Sequence, residues 1–299
     1  MRILFHYPEW GNSWIEPIIN VLSKEHYVRT TSTIDGKELG ALSERADLLL
    51  SGWADRSTYF WAKYFPYKKI VSFVRRYEFF SGIMEHIEWV NINAIIFVSD
   101  FWRDFFNDKY EYSGRQEVIR NGVDLSMFPL NERRDDHSSN NIAMICQTRA
   151  IKNLPLAAQV LLHLPDNYKI YHIGFPGEDM SYFYPYLKNI GLSDRFIFEG
   201  TLKRKQISSW LSDKKYILST SINEGNPNNV IEAMATGCKP IVHDWPGSSG
   251  QFPFVFKTPS EASDLIIDGS YNPNHYRKWV KKRYSLSNFN RVLEVIEDV

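Results

Sequence analysis

Short apolar runs separated by stretches of helical period constrain this chain more than any other feature. Residues 47–51 (DLLLS), 69–74 (KIVSFV) and 94–98 (AIIFV) are apolar almost throughout. A strand with one wet face alternates polar and apolar residues, whereas a strand covered by helices on both faces reads as an unbroken run. Residues 2–6 form another such run, followed by the turn Trp10-Gly11-Asn12, and residues 14–22 place apolar side chains at helical spacing. Ser99 has the chemistry of a helix N-cap for residues 100–106. Strands alternating with helices in this order predict a doubly wound α/β sheet.

The alternation then stops and restarts. Between Leu125 and Asn141 the chain runs through Pro129 and then Asn131-Glu-Arg-Arg-Asp-Asp-His-Ser-Ser-Asn-Asn, polar, charged and without period. That is linker chemistry. Beyond it come apolar runs at 142–146, 169–173, 195–198 and 216–220, with a helical period over 154–164. The expectation is an α/β chain of two Rossmann-like, doubly wound domains, 1–124 and 125–285, facing a central cleft. A terminal helix over 286–299 can pack back on the first. At about 120 residues the first domain is short enough to have lost a βα unit.

Composition narrows the function. Lys+Arg and Asp+Glu both number 35, which argues against bulk electrostatic capture of nucleic acid, local basic patches aside, and no nucleic-acid partner is expected. Cys146 and Cys238 sit in apolar runs, which reads as buried thiols of a reducing compartment, and the opening residues read as a strand rather than a signal peptide. No stretch has the length of a membrane span. A cytoplasmic protein is expected. Two basic-aromatic stretches, 61–80 and 278–284, suit either peripheral contact with a membrane face or half-buried elements with snorkelling lysines.

The richest chemistry lies at 224–242, EGNPNNVIEAMATGCKPIV, directly after the run at 216–220. Ligands of doubly wound sheets bind beyond the carboxyl ends of the strands. Gly225 lets backbone approach a ligand, Asn226 suits an N-cap and Pro227 a first helical residue. The amides of Asn228 and Asn229 then point at an anion with the helix dipole behind them. Glu232 falls on the same helical face, and side chains lean toward the helix start. Amides for a diphosphate beside a carboxylate for hydroxyls suit a phosphorylated ribose. Glu224 lies one step further out, where a sugar would be. Two glutamates eight positions apart are common by chance, and an acid near a helix start is ordinary dipole chemistry. The order of turn, helix and following apolar strand is what lifts the signal.

This segment resembles the nucleotide-sugar motif of retaining family 4 glycosyltransferases (glycosyl transferases group 1). That motif reads Glu-Gly-x-Pro-x-x-x-x-Glu-Ala-Met-Ala-x-Gly and then Pro-x-Val. Residues 94–101 (AIIFVSDF), 118–128 (VIRNGVDLSMF) and 148–154 (TRAIKNL) are similar to three further stretches of that family. The resemblance implies the GT-B fold and a UDP- or GDP-sugar as donor substrate, with no separate cofactor and with retention of configuration. It implies that Arg149 and Lys152 contact the diphosphate, that Gly225, Asn226, Asn228, Asn229, Val230 and Glu232 bind the donor, and that Glu224 meets its sugar. A saccharide, lipid-linked or small-molecule acceptor is implied with it.

Charge logic agrees with that transfer. A departing diphosphate gathers negative charge, and Arg149, Lys152 and a helix start can stabilise it without a metal. No Asp-x-Asp pair is placed to hold a cation, the acids Asp135-Asp136 being in the linker. The family often carries a first-domain histidine after a strand such as 69–74, and here Arg75-Arg76-Tyr77-Glu78 follows instead, with His86 further on. Gly11, Asn12, Arg75, Arg76 and Glu78 are therefore the acceptor-side candidates, the arginines for an anionic group. A nucleotide-sugar 2-epimerase and a catalytically silent donor-binding module are the competing functions.

Overall fold

The computed structural model describes residues 1–9, 14–131, 140–177 and 180–299. By its internal contacts the chain divides into two compact units, one of Met1–Gly122 with Leu286–Val299 and one of Val123–Ser285. The division falls two residues before the expected boundary between 124 and 125 because Val123 already pairs with the second unit. Its N–H donates to the Tyr284 carbonyl at 2.8 Å, and it bridges to Ser285.

The first unit holds β1 (Arg2–His6), α1 (Ile15–Leu22), β2 (Tyr27–Thr31), α2 (Gly36–Glu44), β3 (Leu48–Ser51), α3 (Arg56–Tyr64), β4 (Lys69–Val74), β5 (Ala94–Phe97), α4 (Asp100–Asn107) and β6 (Arg115–Val118). Its sheet is parallel with order β2-β1-β3-β4-β5-β6. No βα unit is lost. Six strands are present, and the two that the apolar pattern passes over, YVRTT and RQEV, are the edges, half wet and therefore polar. Ser99 caps α4, its hydroxyl accepting from Trp102 N–H, a contact worth about 1 kcal/mol.

The last helix, α11 (Asn290–Glu297), belongs to this unit. Val292, Val295 and Ile296, with Phe289 before them, are buried among Ile3, Phe5, Ile15 and Ile18. Each such side chain contributes about 1.5–3 kcal/mol of burial, enough to make the helix part of the unit's core.

The second unit holds β7 (Asn141–Ile145), α5 (Leu154–Leu162), β8 (Lys169–Ile173), α6 (Met180–Asn189), β9 (Phe196–Phe198), α7 (Arg204–Trp210), β10 (Tyr216–Ser219), α8 (Asn228–Ala235), β11 (Lys239–His243), β12 (Val255–Phe256), α9 (Pro259–Ile267) and α10 (Pro273–Arg283). Strand order is β12-β11-β10-β7-β8-β9, again parallel. α5 and α9 cover one face, and α8 and α10 the other. Among the described residues, no helix is long and apolar enough to cross a membrane.

Candidate functional site

Two loops at the carboxyl ends of β7 and β10 build the site in the second unit. After β7 the chain turns through Cys146–Thr148 and closes a 3-10 turn over Ala150–Lys152 before α5. The loop after β8 lies backbone to backbone on that turn. A Cβ on Gly174 would stand 1.8 Å from the Cys146 carbonyl oxygen, and one on Gly177 would stand 2.1 Å from that of Thr148. Only glycine admits so close an approach. The Thr148 hydroxyl also accepts the Gly177 N–H, which fixes the turn that carries Arg149 and Lys152.

The loop after β10 is fastened to the same turn. Ile222 N–H donates to the Ile151 carbonyl at 3.0 Å, and the Thr220 hydroxyl to that of Lys152 at 2.8 Å. Lys152 Nζ thereby meets Glu224 Oε1 in an ion pair, and the Ser221 hydroxyl donates to the same oxygen at 2.7 Å. Both charged side chains keep some access to solvent, 21% and 13%.

α8 begins one residue later than the sequence pattern suggests. Asn226 is not the N-cap: its side-chain amide donates to Gln251 Oε1 at 2.8 Å, and Gln251 in turn donates to the Gly225 carbonyl. Pro227, extended at ψ 99°, is the cap, and Asn228 opens the helix. Asn228, Asn229 and Val230 thus occupy its first turn, where backbone N–H groups have no partner within the helix. Asn229 donates from its side chain to the Ile145 carbonyl at 2.5 Å, tying that turn to β7. The Val230 side chain is wholly buried in the core, so its backbone is what it offers a ligand.

Glu232, one turn on, is 4% exposed. Burial pushes its carboxyl up to about 7, against the pull of Arg204. Arg204, the first residue of α7, brings Nη2 to 2.6 Å from Glu232 Oε1. The contact is off the hydrogen-bond axis, and Oε1 remains without an aligned donor. Sequence reading missed Arg204, for its only signal was a basic residue opening a short helix.

Arg149 stands apart from both pairs. It is exposed, forms an ion pair with neither Glu224 nor Glu232, and lines a cavity of about 500 Å³ with Asn153, Leu154, Tyr182, Phe183 and Tyr186. Beneath this loop Cys146 Sγ lies 3.5 Å from His172 Nε2. Burial drives the thiol up to about 12 and the imidazole down to about 4, so both are neutral.

The first unit gathers a second polar cluster beyond β1, β3 and β4. Arg75 does not reach for solvent: its guanidinium lies 3.3 Å above the Trp14 ring, 5.4 Å from the Trp53 ring, and donates to Asn121 Oδ1 at 3.3 Å. Glu78 is buried, with Oε1 accepting the Arg75 N–H and Oε2 enclosed without a partner. Desolvation pushes this carboxyl up to about 7. His6 is buried nearby, neither ring nitrogen hydrogen-bonded, and Asp55 Oδ2 is 3.9 Å from its Nδ1. Glu78 lines a cavity of about 680 Å³ with Trp53, Asp55, Arg56, Tyr77 and His86. Asp55, Arg56 and His6 carried no signal in the sequence, whereas His86 was visible there only as a distant histidine. Arg76 is half-buried. Gly11 and Asn12 lie outside the described residues, as do Asp135 and Asp136.

Of the basic-aromatic stretches, Trp61 and Phe73 are core, Lys68 donates to the Glu44 and Ala46 carbonyls, and Tyr64, Tyr67, Tyr77 and Phe80 are exposed. In the second stretch Arg283 stacks 4.1 Å over Trp279, and Tyr284 is buried.

Two parallel six-stranded sheets, each with its polar loops at the strands' carboxyl ends, define an α/β protein of the GT-B class. Residues 131–281 match the model of the family "glycosyl transferases group 1", and the chain belongs to that family. It is a glycosyltransferase. Solved structures repeat the whole fold at low identity. HepE of Anabaena, solved with UDP and glucose, is 14% identical with a TM-score of 0.78, covering all of both chains. The lipopolysaccharide outer core galactosyltransferase WaaB is 16% identical (0.76), covering all of this chain and 99% of its own. Sucrose-phosphate synthase of Thermosynechococcus elongatus is 11% identical (0.77), covering all of this chain and 98% of its own. No curated protein matches the chain in sequence.

Proposed function

We propose that the protein moves a sugar from a nucleoside-diphosphate donor to an acceptor hydroxyl, with retention of configuration and without a divalent metal. One observation carries the donor reading. The Lys152–Glu224 pair stands on the loop that leads into α8, and the buried Glu232 follows one turn inside that helix. In this reading the α8 first turn takes the diphosphate, Glu232 accepts from the ribose hydroxyls and Glu224 meets the sugar. Lys152, with Arg149, stabilises the departing phosphate charge, the term expected to be largest in such a reaction. Fixed cations and amides make a metal unnecessary for that task. HepE, which takes UDP and glucose in its crystal, favours a uridine donor over a guanosine one.

On the acceptor side we place the cavity holding Trp53, Glu78 and His86. An aromatic face beside carboxylate and imidazole acceptors suits a saccharide's hydroxyls and ring.

The test is the fate of UDP-glucose and related donors with the purified protein. Transfer, or slow hydrolysis without acceptor, supports the reading. An isomerised donor means a 2-epimerase, and an untouched donor that still binds means a silent binding module. NMR of the first product, before mutarotation, reads the anomer, and an inverted product contradicts retention. Activity lost to chelator and restored by Mg²⁺ or Mn²⁺ contradicts metal independence.

A further inference from the structure

Glu232 has a partner that donor binding alone does not explain. A carboxylate this deeply buried is costly to keep charged unless a cation stands by it. The charged groups on neighbouring elements are mostly engaged elsewhere. Arg277 on α10 donates to the carbonyls of Leu125, Phe128 and Ala235, Lys239 on β11 is bound to Asp268, and Lys152 is paired with Glu224. His243, ending β11, faces the Ser221 carbonyl. Among the described residues, Arg204 alone acts on Glu232. It does so from an unusual position, since its side chain is 40% exposed while that of Glu232 is 5% exposed. An exposed arginine at 2.6 Å, off the hydrogen-bond axis and with its guanidinium over the Phe128 ring, is a contact that a better-aligned donor can replace. Ribose hydroxyls are such donors.

We propose that Arg204 is the resident counter-ion of Glu232, holding the carboxylate charged in the nucleotide-free protein and yielding Oε1 to the ribose hydroxyls when a nucleoside diphosphate binds. The ribose half rests on the donor reading above; the counter-ion half does not. Arg204 is a positioning residue in this scheme. It readies Glu232 and then moves aside.

The consequence is a pH signature with a definite sign. An ionised carboxylate accepts from both ribose hydroxyls, so nucleotide affinity falls as pH drops through the Glu232 midpoint. Arg204 pulls that midpoint down against burial. Arg204→Ala removes the pull, moving the midpoint up by a unit or more, which is about a fivefold or greater loss of affinity at the wild-type midpoint, approaching tenfold or more below it. At pH 9.5, where no guanidinium has to be displaced, Arg204→Ala binds at least as tightly as wild type. Arg204→Lys keeps the wild-type midpoint.

Two measurements separate this from the donor reading. In the first, the Glu232 carboxyl carbon is titrated by NMR without nucleotide in wild type, Arg204→Ala and Arg204→Lys. A midpoint raised in the alanine variant and restored in the lysine variant supports the counter-ion role, and an unmoved midpoint overturns it. In the second, UDP binding (with GDP alongside) is followed by calorimetry from pH 5.5 to 9.5 in the same proteins and in Glu232→Gln. A UDP profile that shifts with Arg204→Ala and goes flat with Glu232→Gln supports displacement. Wild-type affinity in Glu232→Gln sinks the ribose reading and displacement with it, while the NMR result still decides the counter-ion. Weakened binding in Glu232→Gln with an unshifted Arg204→Ala profile leaves the ribose reading standing and overturns the proposal.

Discussion

The two units are both built on a parallel six-stranded sheet and treat their buried acids in opposite ways. In the second unit each site carboxylate has a cation: Lys152 on Glu224 and Arg204 on Glu232. In the first unit, no cation among the described residues comes within ion-pair distance of Glu78, whose Oε2 has no partner, and the guanidinium two strides away is turned onto Trp14 and Asn121. The loops around Glu224 and Glu232 thus hold a cation for each acid, while Glu78 has none within ion-pair distance among the described residues. An enclosed polar atom without a partner costs about 1–3 kcal/mol, and a ligand that supplies the missing donor recovers it. The difference suits a site built for an anion on one side and a site built for neutral hydroxyls on the other.

The comparison breaks most visibly at Lys152. Lys152→Ala removes a cation aimed at developing phosphate charge and leaves Glu224 uncompensated. Loss of one such preorganised group costs roughly 10²–10³ in kcat. The fall is expected mainly in kcat, with a smaller change in donor KM, because the added negative charge on the departing diphosphate develops only in the transition state. Arg149→Ala follows the same split with a smaller loss, since Arg149 stands outside the paired cluster. A change in KM alone, in steady-state kinetics, reduces either residue to binding.

Glu78 gives the next largest effect, and it is one of stability. Its carboxyl stands at about 7 in the fold against an ordinary 4.5. The folded protein therefore holds a proton there that the unfolded chain releases, and stability falls as pH rises from about 4.5 to 7. The full penalty is 7 − 4.5 = 2.5 units, on the order of 3 kcal/mol. Glu78→Gln should flatten this part of the pH profile in urea unfolding, leaving the similar contribution of Glu232. An unchanged slope means that Glu78 is charged and compensated in the fold.

How far the sequence reached follows from the same physics. Strands covered on both faces announce themselves as apolar runs, so β1, β3, β4, β5, β7, β8 and β10 were legible. Of the edges, β9 (FIF) was read, but β2 and β6 were not, because half-wet strands carry polar residues, and β12 (VF) was not, because two residues make no run. The loop and helix from Glu224 to Glu232 were legible as a unit because their residues are local, on one turn and one helix. Arg204 and Asp55 are brought in by tertiary packing from other elements, and no spacing betrays them. Arg75 shows the reverse failure. An arginine beside an arginine reads as an anion site, yet Trp14 and Trp53, distant in sequence, provide aromatic faces for its guanidinium.

Glu232 sharpens the donor side further. Glu232→Ala removes a charged acceptor from the ribose hydroxyls, and nucleotide binding should weaken by about 1.5–3 kcal/mol, roughly 10- to 150-fold. Calorimetry with UDP and GDP reads this directly. Unchanged affinity for both withdraws the ribose assignment and with it the sharpest contrast between the two units.

The smallest effect is expected at His86, and it decides which side of the comparison that residue belongs to. His86 is exposed, ends a short 3-10 turn and lines the cavity that holds Glu78. Nothing in the core depends on it, so His86→Ala leaves stability unchanged. Losing one hydrogen bond to an acceptor hydroxyl costs about 0.5–1.5 kcal/mol, a roughly two- to tenfold rise in acceptor KM. Donor hydrolysis without acceptor should continue at the wild-type rate. Arg76→Ala belongs in the same pair of assays, since Arg75 is held by Trp14 and its loss would disturb packing as well. Equal loss of transfer and hydrolysis in His86→Ala moves the residue to the donor sugar, the place that a first-domain histidine takes in the resemblance. The acceptor cavity would then rest on Glu78 and Trp53 alone.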